Sequence, residues 1–151
     1  MASALDVTKL IIYLANKYGD LITNLRLQKL LYYMQVWHLV NFNKEPLFDD
    51  EIKAWNFGPV VEEVYHKFKK YRHTPISLNV KKDEIEKIFD KKTIYFAEFI
   101  YGKYSRFSAY DLVNMTHNEK PWMEANKSNL KIIDRDKMYE YYSELCKKSK
   151  R

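Results

Sequence analysis

His117, Glu119 and Trp122 are the residues whose types and spacing come nearest to a reaction centre: an imidazole and a carboxylate two positions apart, with an indole nearby. Such a pair does general acid–base work when both groups converge in a cleft that tunes their pKa values. Here both sit in a turn between two short apolar stretches, where a plainer role fits better. Thr116 or His117 ends one helix, Glu119 approaches the N-terminus of the next, and Trp122 plugs the core. His66 and His73 are seven apart and could share a helix face as metal ligands, but His38 and His117 are too distant in sequence to offer a third ligand. Asp49, Asp50 and Glu51 are of the type that holds Mg²⁺. Three consecutive carboxylates cannot all point inward, so a solvated loop is expected. The single Cys146 excludes an internal disulfide and has no base partner. Neither a G-x-S-x-G elbow, a phosphate loop nor a dinucleotide fingerprint is present. The expectation is no enzyme: no catalytic residue, no metal and no cofactor.

Binding chemistry has more to work with. The run His66–His73 interleaves basic and aromatic side chains, which suits phosphate contact and base stacking. Lys67, Lys70, Tyr71 and Arg72 are its candidate partner-binding residues. Phe68 and Tyr71, however, belong to the apolar face of their helix, which leaves the lysines as an ordinary outer face. The net charge of +6 gathers in this run and in a basic tail, Lys147–Arg151. A basic face steers acidic partners and also keeps an aromatic-rich chain in solution. Thirteen tyrosines and eight phenylalanines exceed what a core needs to hide. Tyr13, Tyr104, Tyr110 and Tyr139 are candidates for exposure.

The element that must position these residues is Leu25–Phe42. Wound as a helix, it carries Leu27, Leu30, Met34 and Trp37 on one side, with Tyr33 facing away. Tyr32, Val36 and Leu39 close most of the circle, leaving Asn24, Gln28, Gln35 and His38 in a narrow polar sector. A helix apolar almost all round is covered by its neighbours. Arg26, Lys29 and the glutamines argue against a membrane span, as does the apolar stretch Leu10–Ala15 against a signal peptide. No membrane and a reducing cytoplasm are expected.

Around it, Asp6 caps a first helix that Gly19 terminates. Trp55 and Phe57 lie on a short extended segment, Gly58 permits a turn, and Pro59 opens an amphipathic helix bearing Val60, Val61, Val64, Tyr65, Phe68 and Tyr71. A helix from Asp83 continues, straight or broken near Asp90–Thr93, to Gly102. Ser108 and Asp111 make a capping box, Pro121 starts a short helix, and Asp134 caps a last one with Met138, Tyr141, Tyr142 and Leu145 inward. The fold class is mainly α: about seven helices in a multi-helix bundle around a buried central helix, with at most a small β-hairpin, in a single domain over 1–151.

Three stretches together resemble the Panacea domain, also called SocA-like or GepA-like. They are Leu27-Gln28-Lys29-Leu30-Leu31-Tyr32-Tyr33; Ala54-Trp55-x-Phe57-Gly58-Pro59-Val60-Val61 with Tyr65 beyond it; and Thr116-His117-x-Glu119-x-Pro121-Trp122. The resemblance spans about Asp6 to Tyr142. It implies a small helical antitoxin of bacteria, prophages and mobile elements that binds and neutralises a cognate protein toxin. In one branch the antitoxin hands that toxin to a AAA+ protease. Some members add a DNA-binding segment, for which this sequence leaves no room. The motif residues are core-type and identify the fold rather than the contact surface. The alternative is a nucleic-acid-binding phage or mobile-element protein.

Overall fold

Ser3 opens the first helix. In the computed structural model, which describes residues 1–149, α1 spans Ala4–Lys17. Its start is a reciprocal box: Asp6 N–H donates to Ser3 Oγ at 3.1 Å, and Ser3 N–H to the Asp6 carboxylate at 3.1 Å. Asp6 is therefore the third helical residue rather than the cap, because a hydroxyl three positions earlier reaches its amide. The helix ends as expected at Gly19, whose φ of 66° takes the left-handed conformation. Asp20 N–H then bonds Ala15 O at 2.8 Å, and Gly19 N–H bonds Asn16 O at 3.2 Å.

α2, Asn24–Asn41, starts on the Thr23 hydroxyl, which accepts from Arg26 N–H. It packs against α1, α3 (Glu62–Phe68), α5 (Lys91–Tyr104), α6 (Ala109–His117) and α8 (Arg135–Ser149). Every residue from Arg26 to Val36 is buried. The central helix is thus wrapped more completely than its polar sector suggested. Tyr33, on the side away from Leu27, Leu30 and Met34, is fully enclosed as well, and Gln28 and Gln35 are inside with their amides bonded. Leu30 is fully covered; Trp37 is half-buried, its indole N–H donating to Tyr104 OH at 2.6 Å.

β1 (Lys53–Trp55) and β2 (Gly58–Val60) form an antiparallel hairpin with Trp55 opposite Gly58 and Asn56–Phe57 at its tip. Pro59 lies in β2 and does not open a helix; α3 begins at Glu62. Two α2 side chains hold this backbone extended, Lys29 at Pro59 O and Gln28 at Val61 N–H. The far edge of β1 pairs with residues 131–133 through Ala54 N–H to Lys131 O and Ile133 N–H to Ile52 O.

α3 tightens into a single 3-10 turn, Lys69–Tyr71, that stops at Arg72 with φ 55°. α4 (Lys82–Ile88) and α5 are separate: Phe89 is extended, and the Asp90 carboxylate caps α5 through Thr93 N–H at 2.8 Å. Gly102 lies inside α5, which runs to Tyr104, because it does not take the left-handed conformation with which Gly19 stops α1. α6 starts with the anticipated Ser108–Asp111 box. α7 (Lys120–Asn126) carries Pro121 in its first turn. α8 follows Asp134, whose carboxylate accepts from Asp136 N–H. Met138 and Tyr142 face inward, whereas Tyr141 is half-buried and Leu145 is 39% exposed. The break at Asp90 makes eight α-helices among the described residues, one more than expected. None of these is long and apolar enough to cross a membrane. Lys147 and Lys148 lie in the last turn of α8, and residues 150–151 of the basic tail lie outside the described residues.

Candidate functional site

The three motif stretches meet on one side of α2. Lys29 is completely buried and donates through Nζ to Pro59 O at 2.9 Å. Burial pushes its ammonium down to about 7, with no carboxylate at hand to hold the charge. Gly58, at φ 103°, lies directly against it. A Cβ there would come within 2.7 Å of Lys29 Cε and 3.0 Å of Thr116 Oγ1. Only glycine satisfies both the backbone angle and that space. Next to Lys29 in the chain, Gln28 ties two elements together, accepting from Val61 N–H at 2.9 Å and donating to Asn24 Oδ1 at 3.0 Å. Asn24 in turn donates to Tyr65 O. Leu27, Leu30, Val60 and Pro121 are buried apolar filling.

Glu119 occupies the N-cap position of α7, at the helix start as expected, but its side chain makes no capping hydrogen bond. Its Oε1 accepts from Tyr33 OH at 2.7 Å and from Tyr142 OH at 2.8 Å, and Tyr142 OH also meets Tyr32 OH at 2.9 Å. From the helix N-terminus the carboxylate points into the core, where two phenols outcompete the helix amides. Burial raises its pKa above the usual carboxylate range, and the two phenol hydrogen bonds pull it partly back. Tyr33 is raised in turn by burial and by the Glu119 charge. Tyr104 stacks on Tyr33 with ring centroids 4.3 Å apart.

Trp122 is 9% exposed and donates its indole N–H to Trp55 O at 2.9 Å, joining α7 to the hairpin. His117 ends α6 and stacks on Trp122 at 4.0 Å, its Nε2 buried without a hydrogen-bond partner. Thr116 donates to Val113 O. His117 and Glu119 thus go to different partners and form no acid–base pair. Trp55 packs edge-on to Tyr65. Phe57 departs from the core-type expectation: it is 68% exposed, because it occupies the hairpin tip.

The binding candidates divide in the same way. Lys67, Lys70 and Arg72 are exposed, but Tyr71 is half-buried with its hydroxyl bonded to Ser77 O, and Phe68 is buried. His66 and His73 do not share a helix face, since the left-handed Arg72 stands between them. Asp50 caps α1 through Ala4 N–H, while Asp49 pairs with Arg135 at 3.1 Å. Both border a surface cleft of about 870 Å³ whose lining includes no motif residue. Of the tyrosines expected outside, Tyr110 is exposed, Tyr13 and Tyr139 are half-buried, and Tyr104 is buried by its stack on Tyr33. The sequence placed Tyr95 and Phe99 in the apolar run of this helix and not among the exposed tyrosines and phenylalanines, yet they are 77% and 55% exposed on α5. Their spacing of four was the available signal.

A family model described as "Antitoxin SocA-like, Panacea domain" matches residues 27–123. The chain belongs to this family. The match runs from α2 through most of α7 and holds all three motif stretches, whereas Tyr142, the second donor to Glu119, lies beyond it. Comparisons with curated proteins and with solved structures return no significant match. As a member of an antitoxin family, the chain has a protein toxin as its general kind of partner.

Proposed function

We propose that this Panacea protein neutralises a cognate toxin by direct, stoichiometric binding in the cytoplasm of a bacterium or on its phage-derived elements. No catalysis is asked of the chain. The observation that carries this reading is that three of the motif's buried polar side chains, Lys29, Gln28 and Glu119, are spent on partners inside the fold. Lys29 is bound to Pro59 O, Gln28 to Val61 and Asn24, and Glu119 to Tyr33 and Tyr142. Groups fixed in this way brace four elements around α2 and leave recognition to the outer surface. Family membership supports the toxin as the ligand. Delivery of the bound toxin to a AAA+ protease is a further step that the same complex would allow.

The deciding experiment expresses the adjacent gene alone and together with this one. Toxicity alone, growth restored on co-expression, and a co-purifying complex are expected. Rescue without any complex would refute direct neutralisation. A toxin half-life that lengthens in a protease-deficient host would support the adaptor step. The nucleic-acid alternative predicts steeply salt-dependent binding of random duplex DNA. It is weakened by Tyr71, whose half-burial and bonded hydroxyl leave the 66–73 run without a free stacking ring.

A further inference from the structure

The cations of the 66–73 run surround no exposed apolar anchor, since Phe68 is buried and Tyr71 is half-covered. The outer face of α5 is different. At 100° per residue, Lys91, Lys92, Tyr95, Phe99 and Lys103 fall within a sector of about 120°, and Arg106 in the following turn continues it. All six are exposed. No carboxylate shares the sector. Asp90 is held at the helix start by Thr93 N–H, and Glu98, on the flank, is taken by Lys17 at 2.9 Å and Tyr18 at 3.0 Å. Gly102 leaves open space beside the two rings, with nothing within 4 Å of where its Cβ would be. Two exposed aromatic rings ringed by cations reproduce the layout of an interface: an apolar centre with a charged rim.

We propose that this α5 face is the surface that docks the toxin, and that it fits an acidic, partly apolar patch on that partner. The proposal rests on the antitoxin reading above. Charge complementarity selects the partner's chemistry, since four cations outnumber the flanking Asp90, which lies near Lys92, and Glu98, which Lys17 already holds, so the face repels a basic surface and steers an acidic one. A protein fits better than a nucleic acid because the Phe99 ring face is already covered by Lys103 Nζ, 4.9 Å from its centroid. With one Phe99 face occupied, Tyr95 is the ring of this face left fully open to a base, whereas the edges of both rings can enter an apolar pocket.

The test uses the full chain and the product of the adjacent gene, purified as a complex. Tyr95→Ala/Phe99→Ala should weaken binding by about tenfold or more while leaving the melting temperature within about 2 °C, because both side chains are exposed. Lys92→Glu/Lys103→Glu should slow association and flatten its salt dependence. Hydrogen exchange on the wild-type complex should protect residues 91–106, an outcome that does not depend on any variant folding. Wild-type affinity in both variants with protection elsewhere, for instance at Lys70 and Arg72, would overturn the α5 surface and leave the antitoxin reading standing. Displacement of the partner by random duplex DNA, with a steep salt slope, would replace the protein occupant with nucleic acid. A wild-type chain that neither binds nor neutralises the product would overturn the antitoxin reading itself, and this surface with it.

Discussion

Replacing Lys29 by Met should make the protein more stable at neutral pH and remove a pH dependence that the wild type carries. Burial without a counter-ion brings the Lys29 ammonium from 10.5 to about 7. At about 1.4 kcal/mol for each tenfold change in proton affinity, that difference corresponds to about 5 kcal/mol against the charged form. Between these two values the unfolded chain holds a proton that the folded chain has released, so stability rises with pH across that window. The full penalty is present below about pH 7, where both states are protonated. From about pH 6 to about pH 9, the wild type should gain about 2 to 3 kcal/mol relative to Lys29→Met. The substitution leaves Pro59 O without its donor, a cost of about 1–3 kcal/mol that is independent of pH. Urea unfolding of both proteins at a series of pH values separates the two effects, since the lost hydrogen bond offsets the curves and the titration changes their slope. Parallel curves would refute the reasoning and mean that Lys29 keeps its proton in the fold.

Other substitutions probe the same network. Gly58→Ala places a Cβ against Lys29 and Thr116 at φ 103° and should cost about 2–4 kcal/mol, read as a lowered urea midpoint. Glu119→Gln should abolish a second pH effect of opposite sign. With its pKa raised in the fold, Glu119 makes a contribution to stability that is fully present below the ordinary carboxylate range and is lost as pH rises through the folded value; the amide variant should lack that fall. Trp122→Phe removes the donor to Trp55 O and should cost about 1–3 kcal/mol by thermal melting. Phe57→Ser, at the exposed hairpin tip, should leave stability within about 0.5 kcal/mol.

The candidate site was only half legible in the sequence. Its three motif stretches were recognisable as residue patterns, and Trp122 was placed correctly in the core. The destination of Glu119 was not, because its donors Tyr33 and Tyr142 are 86 and 23 residues away. Nor could spacing reveal that Lys29 finds a carbonyl 30 residues on, and that this contact keeps Pro59 in a strand instead of a helix. The exposed aromatics were misjudged for the same reason: Tyr104 is hidden by a stack on Tyr33, whereas no element among the described residues packs over Tyr95 and Phe99, which stay 77% and 55% exposed.

The sequence by itself determined what acts within a turn of the backbone. The Ser108–Asp111 box, the left-handed Gly19 and the nearly all-round apolarity of α2 each lie within a few residues, and each appears in the structure. It also determined the family, through motif residues whose order along the chain survives without knowledge of their contacts. Tertiary structure decided which polar groups meet inside and which rings remain outside. Those outcomes depend on the packing of elements tens of residues apart, and a local pattern records which side chains a face carries but not what comes to cover it.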